Sequence, residues 1–300
     1  MATLAQWIDG ARPRTLPNAI APVIAGVGAA YHVDNSPDWL HILGAFVVAI
    51  ALIVGVNYAN DYSDGVRGTD DDRVGPQRLV GSGAASPKAV RTAAFVSFAV
   101  AGVVGVWLAL ATHWWLIPVG AVCILAAWFY TGGRRPYGYA GFGELAVFVF
   151  FGLVAVCGTQ LVAGGRIDGI GLAAAVAIGS FSAAVLVTNN LRDLDADAAV
   201  GKRTLAVRLG DYSTRYLYAF LITVPFVATL IMSIHHQWAL FGLLAAPLAN
   251  GVGRAVVGGA KGPALIKILG QTGLIMLAWA VLTAGAFIFG LDGLPHTDFI

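Results

Sequence analysis

Residues 38–64 read DWLHILGAFVVAIALIVGVNYANDYSD. No polar side chain occurs from Ile42 to Val56, and then Asn57, Asn60, Asp61 and Asp64 follow within one short stretch. A bilayer-crossing helix needs about 20 mostly apolar residues. This segment supplies one and ends it on a cluster of amides and carboxylates at a membrane face.

The rest of the chain is built the same way. Of its 300 residues, 58% are hydrophobic and 11% are charged, against about 25% charged in an average soluble domain. Mean hydropathy is +0.77. So few charges cannot cover a soluble surface, which excludes a soluble enzyme and a disordered chain. A net charge of +2 is too small for a nucleic-acid-binding face. Cys123 and Cys157 lie in apolar stretches and read as small buried hydrophobes. Nine apolar runs stand out, at roughly 15–33, 38–60, 90–111, 114–131, 143–164, 169–190, 214–234, 238–256 and 265–290. The first is interrupted by Pro17, Asn18 and Pro22, and the further runs after it read as an uncleaved span, not a signal peptide. The expected fold is an all-α polytopic membrane protein of about nine transmembrane helices, one domain over residues 1–300.

Lysines and arginines set the orientation. With the N-terminus cytoplasmic, every cation except Arg166 falls in a cytoplasmic segment, 17 of the 18 in the chain. A strong positive-inside bias of this kind also checks the span count, because a missed helix would scramble the alternation. Trp39, Trp114, Trp115 and Trp238 fall near the opposite ends of the spans and read as an interfacial aromatic belt.

The acids are uneven. Nine of the 16 lie in two cytoplasmic segments: Asp61, Asp64, Asp70, Asp71 and Asp72, then Asp193, Asp195, Asp197 and Asp211. On a helix continued past Asn57, Asn57 and Asp61 are spaced i,i+4, as are Asn60 and Asp64. Asn189, Asp193 and Asp197 form a second such stripe, with Asn190 beside it. Carboxylates packed this closely repel unless they share a cation. Oxygen ligands without His or Cys suit a hard ion such as Mg²⁺, which binds through one or two carboxylates plus substrate phosphates. Two facing stripes would make a two-metal cradle for a diphosphate, ringed by Arg and Lys.

At these residues the chain closely resembles the UbiA superfamily of intramembrane aromatic prenyltransferases, and within it the MenA-type 1,4-dihydroxy-2-naphthoate polyprenyltransferases of menaquinone synthesis. The resemblance rests on Arg12-Pro-Arg-Thr-Leu-Pro-Asn18, Asn57-Tyr-Ala-Asn-Asp-Tyr-Ser-Asp64, Gly65-Val-Arg-Gly-Thr-Asp70, Arg73-Val-Gly-Pro76, Tyr130-Thr-Gly-Gly, Pro136-Tyr-Gly-Tyr139, Gly141-Phe-Gly-Glu144, and Asn189 through Asp197 with Gly201-Lys-Arg-Thr204. Many relatives place a further Asp four residues after Asp64; here that position is Gly68, and Asp70 comes two residues later.

The resemblance implies Mg²⁺, in two ions, and the substrates polyprenyl diphosphate and 1,4-dihydroxy-2-naphthoate, in a multi-pass cell-membrane enzyme whose site opens to the cytoplasm. The metal-facing residues expected are Asn60, Asp61, Asp64, Asn190, Asp193 and Asp197, with Asn57 close by. Arg67, Arg134 and Lys202 are candidates for diphosphate oxygens, and Tyr130 and Tyr139 for the cation or the aromatic acceptor. Glu144, a lone acid near the end of a span, is expected to order the Tyr130–Tyr139 loop through Arg134 or Arg135, or to contact the acceptor. The alternatives are a prenyltransferase for another aromatic acceptor, or a secondary transporter. A transporter would hold its ionisable residues near mid-membrane, whereas here they gather at one edge.

The charge asymmetry generates a test. A single Cys at Ala198 should resist an impermeant thiol reagent in intact cells, while one at Ser36 should react. Ready labelling at 198 would reverse the orientation.

Overall fold

The computed structural model describes residues 2–34, 36–68 and 78–290. Asp70, Asp71, Asp72 and the Arg73–Pro76 motif lie outside the described residues.

An eight-residue helix α1 (Leu4–Ala11) starts at a capping box between Thr3 and Gln6. A short 3₁₀ turn, Pro13–Thr15, then leads into α2 (Pro17–Val33), and the two stretches meet at a bend of 49°. Pro17 opens α2, where its missing N–H costs nothing. Next come α3 (Trp39–Arg67), α4 (Pro87–Ala111) and α5 (Leu116–Phe129). One continuous rod follows: α6 (Gly143–Val147), a π-helical stretch at Phe148–Val154, and α7 (Ala155–Gly164). Then α8 (Gly169–Arg192) runs into the short α9 (Leu194–Ala199). After α10 (Leu205–His235), a 3₁₀ stretch at Gln237–Ala245 continues into α11 (Ala246–Val257), and α12 (Pro263–Ile288) closes the bundle.

Seven of these rods are long and apolar enough to cross a membrane, or eight with the bent α1–α2 pair. The 14-residue α5 occupies the place of the fourth expected span. About nine spans is therefore consistent with the structure. The chief differences lie at the ends. Helix α3 continues to Arg67, and α10 begins at Leu205, with a break at Gly210 where φ is 77° and ψ is 170°.

Helix α8 is the centre of the bundle and packs against α2, α10, α12 and the π-helical stretch. Its Ile178, Phe181 and Val187 are buried, in one core with Tyr218, Met232, Met276 and Trp279. Lipid gives little hydrophobic drive for helix association, so close approach of small residues and interhelical hydrogen bonds take its place. Both are present. A Cβ on Gly28 would fall 2.5 Å from Ala284 Cα, and one on Gly152 would fall 2.6 Å from Ala175 O. The Trp279 indole donates to Thr229 Oγ1 at 2.8 Å, and the Tyr218 hydroxyl pairs with Thr272 Oγ1 at 2.7 Å.

What positions the site is the length of α3. Its N-cap Asp38 accepts from Leu40 N at 2.8 Å, and Gly68 ends it with φ at 70°. At 1.5 Å per residue, its 29 residues span about 43 Å, well beyond the ~30 Å hydrocarbon core. The last turns therefore carry Asn57–Asp64 out to the membrane edge.

Gly28→Val should lower stability by about 1–3 kcal/mol, since no rotamer clears the α12 backbone. Gly120→Val, with open space around it, should be close to neutral. Thermal unfolding in detergent compares them, and equal melting would contradict the close α2–α12 approach.

Candidate active site

The last two turns of α3 present two faces. On one face, Asn57 Nδ2 donates to Ala11 O and to Thr15 Oγ1, both at 2.9 Å. One turn on, Asp61 accepts from Leu79 N at 2.8 Å through one oxygen and from Val80 N at 3.0 Å through the other. Tyr58 beside them donates to Trp7 O at 2.9 Å. These residues tie the end of α3 to α1 and to the segment that resumes at Arg78.

The other face looks toward the loop between α5 and α6. Asn60 Oδ1 accepts from Thr131 Oγ1 at 2.7 Å. Asp64, 4% exposed, accepts from the Tyr139 hydroxyl and lies 3.5 Å from an Arg78 nitrogen. So the spacing that places Asn57 with Asp61 and Asn60 with Asp64 is confirmed, but the two pairs do different things. Asp61 has both oxygens engaged by backbone amides, whereas Asn60 and Asp64 face the α5–α6 loop.

The α5–α6 loop is held firmly. Arg67 donates to the carbonyls of Thr131 and Gly133. Gly138 N donates to Tyr130 O at 3.0 Å, and the Tyr137 hydroxyl donates to Ala126 O at 2.8 Å. Burial, helped by the nearby Cys123, pushes the Tyr137 phenol up to about 12, so it stays a neutral donor. The loop thereby delivers Tyr139 between the two acidic motifs. Its ring has Arg67 Cζ 5.5 Å and Lys202 Nζ 4.5 Å from its centroid. Arg203 N donates to Tyr139 O at 2.9 Å, and Lys202 Nζ lies 3.8 Å from Asp197. One tyrosine thus bridges Asp64 on α3 and the Lys202–Asp197 pair at the end of α9.

The second stripe is less regular than a single helix. Backbone bonds Asp193 N to Asn189 O and Asp197 N to Asp193 O continue its i,i+4 spacing, but Asp193, with ψ at 8°, breaks the helix between α8 and α9. Arg192 Nε reaches Asp193 at 2.6 Å, and Arg192 also reaches Asn189 Oδ1 at 2.9 Å. Asn190, 8% exposed, donates to Glu144 Oε1 at 2.8 Å. Glu144 is therefore held by Asn190, not by Arg134 or Arg135, whose side chains are exposed. Among the described residues no three His, Cys, Asp or Glu side chains converge as a ready metal cage. The donor set that does assemble is oxygen-only, from Asp and Asn on two elements, with Arg67, Arg78 and Lys202 around it. Mg²⁺ with substrate phosphates completing its shell fits that chemistry.

Arg78 and Thr131 were not recognisable as site residues. Arg78 reads as one more cytoplasmic cation, and no spacing signals its approach to Asp64. The bonds of the neighbouring Leu79 and Val80 amides to Asp61 hold it there.

The architecture is an intramembrane helical bundle with an oxygen-rich, cation-lined site at one end. The UbiA prenyltransferase family matches residues 19–262, and the chain belongs to that family. It is 58% identical over 97% of its length to the 1,4-dihydroxy-2-naphthoate octaprenyltransferase of Mycobacterium tuberculosis, covering 99% of that protein. It is 35% identical to the Escherichia coli protein of the same name, covering 95% and 94% of the two chains. Among solved structures, it is similar to a UbiA homolog from Aeropyrum pernix K1 at a TM-score of 0.68 and 15% identity, covering 91% of this chain and 97% of that one. The UbiA homolog from Archaeoglobus fulgidus bound to GPP and Mg²⁺ gives 0.63 at 13% identity, covering 95% and 99%.

The division of the α3 end is testable. Asp61→Ala strands two backbone donors and should cost about 1–3 kcal/mol of stability. Asp64→Asn keeps an acceptor for Tyr139 and strands no backbone donor, so it should cost less than Asp61→Ala. Unfolding in detergent that shows equal losses would contradict it.

Proposed function

We propose that this chain is a 1,4-dihydroxy-2-naphthoate polyprenyltransferase of the cell membrane, a single domain whose site opens to the cytoplasm. The observation that carries the site assignment is Tyr139 joining Asp64 of one motif to the Lys202–Asp197 pair of the other. The substrate assignment is supported by the name shared by relatives at 58% and 35% identity. The cytoplasmic opening is supported by the cations that crowd the same end of the bundle.

Two Mg²⁺ ions would be held by Asn60 and Asp64 on α3 and by Asn190, Asp193 and Asp197 around the α8–α9 break. Bound there, they supply Lewis-acid charge for the departing diphosphate. The protein does the rest. Arg67 and Lys202 face the diphosphate oxygens, and Arg78 keeps Asp64 in place. Tyr139 fixes the distance between the two stripes, its hydroxyl holding Asp64 while the Lys202 ammonium sits over its ring. The prenyl C–O bond breaks and diphosphate leaves with the bonding pair. The ring carbon that carries the carboxylate forms the new C–C bond and loses carbon dioxide, so no outside proton is required. Holding both partners together and excluding water protect the cation from capture.

The purified protein, given Mg²⁺, a polyprenyl diphosphate and the naphthoate, should yield the decarboxylated prenyl naphthoquinol by mass spectrometry, and EDTA should abolish it. Product from 4-hydroxybenzoate alone would move the assignment to another acceptor.

Asp64→Asn and Asp197→Asn remove stabilisation of the leaving group and should each slow transfer on the order of 10²–10³-fold. Near-normal rates for both, per inserted protein, would refute the site.

A further inference from the structure

Glu144 is an acid beside the second stripe to which the metal cradle gives no role. It stands in the first turn of α6 and is 6% exposed. One of its oxygens is taken: Asn190 Nδ2 donates to Oε1 at 2.8 Å. The other, Oε2, is buried and has no hydrogen-bond partner. An ionisable group at a membrane edge is expensive, and an unsatisfied buried oxygen adds to that cost. The arrangement makes sense when a hydrogen donor arrives with the substrate.

The surroundings specify what that donor is. Asn190 belongs to the second Asn/Asp stripe, so its bond to Oε1 places the Glu144 carboxyl beside that stripe. A Cβ on Gly143 would lie 3.2 Å from the Tyr130 hydroxyl, which puts that phenol against the α6 backbone next to Glu144. An ionised carboxylate oxygen can only accept, so the occupant must bring a hydrogen donor, which a ring hydroxyl does and an ionised diphosphate does not. The Asn190 bond also fixes the amide: with Nδ2 turned to Glu144, Oδ1 is left for the cradle.

We infer that Glu144 recognises the aromatic acceptor, its free Oε2 accepting a hydrogen bond from a ring hydroxyl. This rests on the acceptor being the dihydroxynaphthoate proposed above. Glu144 then divides its carboxylate between two tasks. Oε1 aligns a cradle residue, while Oε2 holds the ring beside Tyr130 in register with the prenyl carbon.

The test is Glu144→Gln, which keeps an oxygen for Asn190 and replaces the free acceptor with an amide donor. Acceptor KM should rise roughly tenfold to a hundredfold, the range for a hydrogen bond to a charged group, while KM for the diphosphate stays within about twofold. A purely structural role would shift both together. Two analogues, each lacking one ring hydroxyl, complete a cycle. The wild type should discriminate against both. The Gln variant should lose about tenfold of that discrimination for the analogue missing the hydroxyl that Glu144 binds. If the Gln variant is not monodisperse, Glu144→Asp, with the carboxylate drawn back by one methylene, should show the same loss. Undiminished discrimination against both analogues, or equal rises in the two KM values, overturns the inference. Failure of the wild type to prenylate the naphthoate would overturn the function proposed above and this inference with it. Normal wild-type turnover with an unaltered cycle removes Glu144 alone.

Discussion

The structure depends on keeping carboxylates at the rim of a hydrocarbon layer. A charge there is tolerated only when something nearby compensates it, and the site is organised around that need. Asp64 has the Tyr139 hydroxyl and Arg78 beside it, Asp197 has Lys202, and Asp193 has Arg192. Tyr139, Arg78 and Lys202 come from three different stretches of chain, while Arg192 is Asp193's own neighbour. Neutralising the acids therefore assembles the loop after α5, the segment resuming at Arg78 and the turn beyond α9 at the same end of the bundle.

Structural and chemical roles are divided residue by residue along one helix. Asn57 and Asp61 turn toward α1 and the Leu79–Val80 backbone, while Asn60 and Asp64, on the adjoining face, turn toward Thr131 and Tyr139. The first pair is the foundation on which the second stands. Losing Asp61 would release the segment that carries Arg78 and so disturb Asp64 indirectly, which is why loss of activity alone cannot tell a ligand from an anchor.

Much of this was legible in the sequence, for reasons that come from the bilayer. Apolar runs of span length and the cation asymmetry are imposed by lipid, so the helical rods fall close to where composition puts them. The two Asn/Asp stripes were legible because helical spacing alone predicts which residues share a face. Facing direction was not. Whether Asp61 or Asp64 looks into the site depends on where α1 and residues 78–80 pack, and no local pattern carries that information. Glu144 stood out as a lone acid near a span end, but its expected arginine partners are exposed and Asn190 holds it instead. That choice is made by the packing of α6 on α8, two elements more than 20 residues apart in sequence.

The π-helical stretch at Phe148–Val154 has a bearing on how this enzyme family can diversify. A wider turn is equivalent to one inserted residue in an otherwise regular rod, and each residue rotates a helix by about 100°. Everything on the α6 side of the stretch is thus phased against everything on the α7 side. The face of α7 that packs on α2 and the face of α6 that offers Glu144 to Asn190 are separately adjustable. Lineages that gained or lost a single residue here would turn a different side chain toward the cradle while leaving the helix contacts deeper in the membrane in place. The stretch is a vernier, by which the ring-facing chemistry can be reset without rebuilding the bundle.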